Sequence, residues 1–131
     1  MDDYELICSV CGQVNTRGVL FCAQCRSDIS QISPSRKAIL FVDAAGTGSF
    51  SVENGGFVGR NGHGAAVLEN YPTVSRAHFR ADKDKGVWFI EDVSSNGTWV
   101  GEVKITPGTA FRVNNGDAVC LSKACRLIVR L

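Results

Sequence analysis

The chain carries almost no excess of charge: its 131 residues hold 14 basic and 13 acidic side chains. A protein that wraps nucleic acid by bulk electrostatics needs a surplus of Lys and Arg, and that surplus is missing. No stretch approaches the roughly 18 to 20 apolar residues of a spanning helix, so membrane insertion is not expected. The start, Met1-Asp2-Asp3-Tyr4-Glu5, is acidic and has no basic n-region, which argues against a secretory signal and for a cytoplasmic setting. No long stretch has helical periodicity. No Walker lysine is present, and Gly62-x-Gly64 is only a fragment of a dinucleotide motif, with no helix expected after it.

Cysteine, by contrast, is plentiful and unevenly placed. Cys8, Cys11, Cys22 and Cys25 form two Cys-x-x-Cys pairs, whereas Cys120 and Cys125 lie in the apolar C-terminal region. An exported disulfide framework would be accompanied by a signal sequence, and a thioredoxin-like dithiol by a βαβ pattern. Neither is seen. Two Cys-x-x-Cys turns supply the four thiolates of a closed tetrahedral site, which predicts one structural zinc per chain, with iron as the competing metal. Gly12 follows the second cysteine of the first knuckle, where positive φ is often needed, but Arg26 stands at the matching place in the second. About twenty residues cannot bury enough apolar surface to fold alone, so metal binding would supply the folding energy. Residues 1–27 therefore read as a short zinc ribbon. Its mixed charges, Arg17 and Arg26 against Asp2, Asp3, Glu5 and Asp28, favour protein contact over DNA contact.

Residues 28–36 are serine-rich with one proline and read as a linker, which Ile29 and Ile32 could dock onto a neighbour. From Lys37 onward the pattern is all-β. Strand candidates are 38–42, 50–52, 56–59, 67–68, 77–81, 87–93, 98–100, 110–113, 118–121 and 126–131, with turn residues between them. Short strands at near-regular spacing predict a β-sandwich over residues 37–131. Cys120 and Cys125 flank the final turn and read as small hydrophobes, although spacing alone leaves a disulfide between them open.

Three short motifs punctuate this pattern: Gly59-Arg60, Ser75-Arg76-Ala77-His78 and Asn96-Gly97-Thr98. Each is weak alone, and Asn-Gly is a common hairpin turn. In this order and spacing they resemble the signature of the forkhead-associated (FHA) domain, a phosphothreonine-binding β-sandwich, over about Lys37 to Leu131. The resemblance implies that Arg60, Ser75 and Arg76 contact the phosphate and that Asn96 holds the peptide backbone. Gly97 and Thr98 complete the candidate peptide-binding set, while Gly59 and His78 support it structurally. The chemistry suits these roles: a guanidinium fork takes two phosphate oxygens, and an Asn amide both donates and accepts. Two departures touch the site loops. Asn61 to Ala66 lacks the Asn-Asp pair often found there, and Thr98 to Glu102 lacks a second asparagine.

Catalysis is not expected. Ser75 and His78 lack an orienting third group, and residues three apart on a strand point to opposite faces. A four-cysteine site has no open coordination position. The expected function is a phosphothreonine-peptide-binding adaptor in Ser/Thr-kinase signalling, with the ribbon as a second protein-contact module. The alternative is a scaffold that uses the same fold without reading phosphorylation.

Overall fold

The computed structural model describes residues 3–131. Met1 and Asp2, the first residues of the acidic start, lie outside it. Three short strands come first: β1 (Tyr4–Ile7), β2 (Val14–Asn15) and β3 (Ser35–Arg36). Then follow β4 (Ala38–Asp43), β5 (Ser49–Glu53), β6 (Gly56–Val58), α1 (Ala65–Leu68), β7 (Phe79–Asp84) and β8 (Val87–Asp92). The chain ends with β9 (Thr98–Val100), β10 (Val103–Lys104), β11 (Phe111–Arg112), β12 (Ala118–Leu121) and β13 (Cys125–Arg130). No described helix is long and apolar enough to cross a membrane.

Alternation builds the sandwich. Ile39, Phe41 and Asp43 on β4, Trp88, Ile90 and Asp92 on β8, and Cys125, Leu127 and Val129 on β13 all point inward. A six-stranded sheet in the order β10-β9-β12-β13-β4-β5 thereby faces a four-stranded sheet, β11-β8-β7-β6. The core is centred on Phe41, whose ring lies 5.4 Å from that of Phe79, edge-on, and 5.7 Å from that of Phe50. Offset and edge contacts of this kind are the favoured aromatic geometry.

Several local readings are corrected. Val67-Leu68 is not a strand but the end of α1, a single turn closed by Leu68 N donating to Gly64 O and Glu69 N to Ala65 O, both at 2.9 Å. Two adjacent buried apolar residues carry no period, so sequence could not distinguish strand from helix. A one-turn helix therefore does follow Gly62-x-Gly64, whose His63 meets β6 in an isolated parallel bridge to Val58 and not in a parallel strand pair. Asn96-Gly97 is not a hairpin turn, because β8 and β9 belong to different sheets; it carries the chain across the sandwich. Cys120 pairs with Arg126 and Cys125 with Leu121, which puts the two thiols on opposite faces of β12–β13. Both are free.

The N-terminal strands form their own sheet, β2-β1-β3, so the serine-rich segment returns along β1. Ile29 is buried with Leu6, Cys8 and Cys22 in a small cluster separate from the sandwich core. This unit is pinned to the β7–β8 turn. Lys83 Nζ donates to Glu5 Oε1 at 2.7 Å, to Arg36 O at 2.8 Å and to Ser35 Oγ at 3.1 Å. The Lys83 and Glu5 side chains are only 6% and 14% exposed, so the pair is shielded from solvent screening. Losing one partner of such a pair costs more than losing a surface bridge. Glu5→Gln is expected to destabilise the junction by about 1 to 3 kcal/mol. Hydrogen exchange should then quicken in β1 and β3 but not in β4 and β13, and unchanged exchange in β1 would refute the role given to Lys83.

Candidate functional site

The loops at one end of the sandwich gather the motif residues. Gly59 follows β6 where the loop before β7 passes close by: a Cβ there would lie 2.2 Å from Arg76 O, so only glycine fits. That close approach lets Arg60 N donate to Ser75 O at 3.1 Å and Asn61 N to Arg76 O at 3.0 Å. The side chains of Arg60, Ser75, Arg76, Ser95 and Asn96 then line one open groove with Pro72, Thr73 and Val74.

His78 fixes this arrangement from below. It is fully buried, and its Nδ1 lies 3.0 Å from Ser75 N while its Nε2 lies 2.8 Å from Gly97 O. A backbone amide can only donate and a carbonyl can only accept, so Nδ1 is the acceptor and Nε2 carries the proton. The ring is therefore a neutral crossbrace between the Ser75 loop and the Asn96 turn. Ser75 Oγ is not bonded to His78; it accepts from Ser95 N at 3.2 Å. A Ser–His nucleophile pair is thus not assembled here.

Asp92 organises the turn itself. Its Oδ1 accepts from Ser94 N at 3.0 Å, Ser94 Oγ at 2.6 Å and Thr98 Oγ1 at 2.9 Å, and Ser94 Oγ accepts from Gly97 N at 2.8 Å. Gly97 has φ 94°, the left-handed conformation that glycine adopts without strain. Thr98 is fully buried with its hydroxyl committed to Asp92, so it supports the turn and does not line the groove. Sequence reasoning passed over Asp92. The Asp-x-Ser spacing, a known local turn-former, was the available signal.

The groups left over define what the groove can do. The Arg60 Nε donates to Val74 O, which aims the guanidinium, and no other contact within the described residues occupies its two terminal nitrogens. Asn96 Nδ2 donates to Thr73 O at 2.8 Å, while its Oδ1 accepts from nothing among the described residues. Arg76 is exposed and unpaired there. The groove therefore presents two cations, a hydroxyl and an amide oxygen on a preformed frame. It suits an anionic group attached to extended backbone.

At the other end of the molecule the four N-terminal thiols cluster. The Sγ atoms of Cys8, Cys11, Cys22 and Cys25 lie within 4.8 Å of one another, with Cys8–Cys25 at 3.5 Å and Cys11–Cys22 at 3.6 Å. A metal ion bound at about 2.3 Å from each of four tetrahedral sulfurs sets them roughly 3.8 Å apart, whereas a disulfide needs about 2.05 Å. The four residues could hold a metal ion. The knuckles repeat each other: Cys8 N donates to Gln13 O and Gly12 N to Cys8 O, as Cys22 N does to Ser27 O and Arg26 N to Cys22 O. Gly12 and Arg26 both take positive φ, 78° and 65°, so the arginine adopts the strained geometry. The Cys25 backbone amide, helped by Gln24 and Asn15, pulls the Cys22 thiol down to about 6 against the effect of burial, whereas Cys11, despite its Gln13 backbone bond, is pushed up to about 12 by burial and the neighbouring thiols.

The sandwich and its loop cluster define an FHA-type interaction fold. The FHA domain family model matches residues 56–122, more than half of the chain, and the chain belongs to that family. FHA domains are interaction modules rather than enzymes. An FHA domain-containing protein of Arabidopsis thaliana is 32% identical over 73 residues, which cover 55% of this chain and 19% of that relative. The matched part is thus about a fifth of the relative's length. Among solved structures, the FhaA FHA domain complexed with the intracellular domain of Rv3910 is 26% identical at a TM-score of 0.58, covering 70% of this chain and 99% of that one. The N-terminal FHA domain of S. cerevisiae Rad53p, in complex with a phosphothreonine peptide, shares the fold at 18% identity and a TM-score of 0.60. It covers 72% of this chain and 93% of that one.

Burial pushes His78 below the ordinary imidazole range, and the bond to Gly97 O and the nearby Asp92 carboxylate only partly offset it. The unfolded chain therefore takes up a proton first as pH falls. The stability that neutral His78 contributes is complete above about pH 6.5 and is lost as pH drops from there through the folded-state value. The melting temperature should fall across that window. In His78→Gln it should start lower and change less there. A parent-like slope in the variant would remove His78 as the titrating crossbrace.

Proposed function

We propose that this protein is a phosphothreonine-peptide-binding adaptor in Ser/Thr-kinase signalling, acting in the cytoplasm. The observation that carries the reading is the uncommitted Arg60 guanidinium, aimed by Val74 O into a groove that also holds Ser75 and Asn96. In this reading Arg60 takes two phosphate oxygens, Ser75 donates its hydroxyl, Arg76 adds a second cation, and Asn96 Oδ1 accepts from the peptide backbone. Gly59, His78, Gly97 and Thr98 hold these groups in place. A charge-assisted hydrogen bond contributes about 1.5 to 3 kcal/mol, so Arg60→Ala is expected to weaken binding of a phosphothreonine peptide tenfold or more with little change in melting temperature. Calorimetric titration with a phosphothreonine peptide library and its unphosphorylated copies tests this. Undiminished binding by Arg60→Ala would overturn the phosphate role. Equal binding of both peptide sets would favour the phosphorylation-independent scaffold.

Residues 1–27 act, in the same proposal, as a zinc ribbon joined through residues 28–36 to the FHA domain at 37–131. Four closely set thiols, knuckle amides directed at sulfur and positive φ after each knuckle support zinc over a redox dithiol. The ribbon would then be a second protein-contact module, a role that its exposed Val10, Leu20 and Phe21 suit. Elemental analysis should give one zinc per chain, and Cys8→Ser should release it while the separately clustered sandwich core stays folded. Arg26→Gly should hold zinc more firmly, by about 1 kcal/mol of relieved strain. Metal-free protein with paired disulfides under reducing conditions would count decisively against this part.

A further inference from the structure

Beside the groove, on the outer face of the larger sheet, lies a cationic feature that the phosphate site does not use. The strand register sets Lys104 opposite Trp99, Trp99 opposite Cys120, and Cys120 opposite Arg126, one row across four strands. Lys104 Nζ lies 5.4 Å from the centre of the Trp99 ring. Lys123, from the β12–β13 turn, brings its ammonium to 5.0 Å from the same ring. An indole ring face attracts ammonium groups and limits their wandering, so Trp99 holds two cations at one place on the sheet. Neither lysine has a carboxylate partner among the described residues. Ser122 and Lys123 also hold positive φ, 52° and 61°, although neither is glycine.

This feature is continuous with the groove. Ser122 Oγ lies 2.7 Å from Thr73 Oγ1, and Ser122 N donates to Gly97 O at 2.9 Å. At the position of Gly97, the residue after Asn96, an added Cβ would sit 3.0 Å from both Lys104 Cε and the Trp99 ring. A peptide lying over Asn96 would therefore pass the two ammonium groups within a residue or a few of its phosphothreonine. We propose that Lys104 and Lys123, braced on Trp99, form a specificity subsite that reads an anionic side chain flanking the phosphothreonine in the same peptide. This rests on the phosphopeptide reading of the groove. The anion could be a carboxylate or a second phosphate, since both answer the same pair of cations. Arg126 ends the same row, two strands beyond Trp99 on the side away from Lys104.

The test uses the full chain and fixed-length phosphothreonine peptides in which one Asp is moved through the flanking positions. An all-neutral copy and a copy with phosphoserine in place of that Asp complete the set. Lys104→Gln combined with Lys123→Asn removes both charges, and Asn tolerates the left-handed backbone at 123. In the parent, Asp at the responsive position should tighten binding about three- to tenfold over the neutral copy, an advantage that shrinks with added salt. In the double variant that ratio should collapse toward one, while affinity for the neutral peptide stays as in the parent. A larger gain from phosphoserine than from Asp would assign the subsite to doubly phosphorylated partners, and an equal or smaller gain to acidic ones. A parent that binds phosphothreonine peptides without any flanking acid preference, or a preference that survives the double substitution, would overturn the subsite and leave the Arg60 reading standing. If no peptide depends on Arg60, both fall together.

Discussion

Everything at the loop end hangs on one imidazole with two nitrogens of opposite character. His78 accepts from the Ser75 amide on one side and donates to the Gly97 carbonyl on the other, which a single neutral tautomer satisfies and a protonated ring does not. Burial favours the neutral ring by penalising the charge, and the two backbone partners choose its tautomer. The Ser75 amide has no other partner among the described residues, whereas the Gly97 carbonyl also accepts from Ser122 N at 2.9 Å. Truncating His78 would leave the Ser75 amide unpaired, at about 1 to 3 kcal/mol, with the Gly97 carbonyl held by Ser122 N alone. From Gly97 the circuit continues: its carbonyl also takes the Ser122 amide, Ser122 reaches Thr73, and Thr73 O takes the Asn96 side chain. Three loops from two sheets are thereby closed into one ring of hydrogen bonds.

A closed circuit explains which groups remain free. Each atom it uses is committed to framework, and the atoms outside it are those a ligand can claim without first breaking something. Holding side chains in place before binding lowers the ordering cost that association otherwise carries. The arrangement is not free of cost to the fold. Asp92 spends Oδ1 on three donors, yet its Oδ2 is buried without a partner, and Gly59 tolerates no side chain at all. Unsatisfied polar atoms and crowded backbone of this kind concentrate where a fold has been bent toward a task.

Much of this was legible from the chain. Alternation announced β4, β8 and β13 because each buries one face only, and the Cys-x-x-Cys spacing announced the four-thiol cluster because the ligand geometry is local. The positive φ of Gly12 followed from the same knuckle chemistry. What stayed hidden was non-local. Thr98 reads like a groove residue because it follows Asn96-Gly97, but strand β9 begins there and turns its hydroxyl inward to Asp92. Lys83 reads as one more surface lysine in a charged turn, yet the N-terminal sheet folds over it and makes it the buried hub between the two units. The Trp99 row exists only once β9 and β12 are paired, since Lys104, Trp99 and Lys123 are unremarkable as neighbours in sequence.

The position of that hub limits how the two units can act together. β7 carries His78 just before its first residue, Phe79, and ends at Asp84 beside Lys83 and the N-terminal sheet. At about 3.3 Å per residue, roughly 17 Å of strand separates the groove from the docked N-terminal sheet. Thr16 lies between the knuckles of a unit held by Glu5, Ser35 and Arg36 against Lys83. It cannot reach the groove of its own chain without undoing the four-thiol cluster and that junction together. A partner that touches both ends needs at least about five or six extended residues between its two contact points, given some 3.3 to 3.6 Å per residue. Because the N-terminal sheet is pinned by Lys83 rather than tethered, that span is fixed. A partner whose spacing matches gains effective concentration from the second contact, and one whose spacing is shorter gains none. Selection of partners by the distance between two weak features would follow from the junction as much as from either surface.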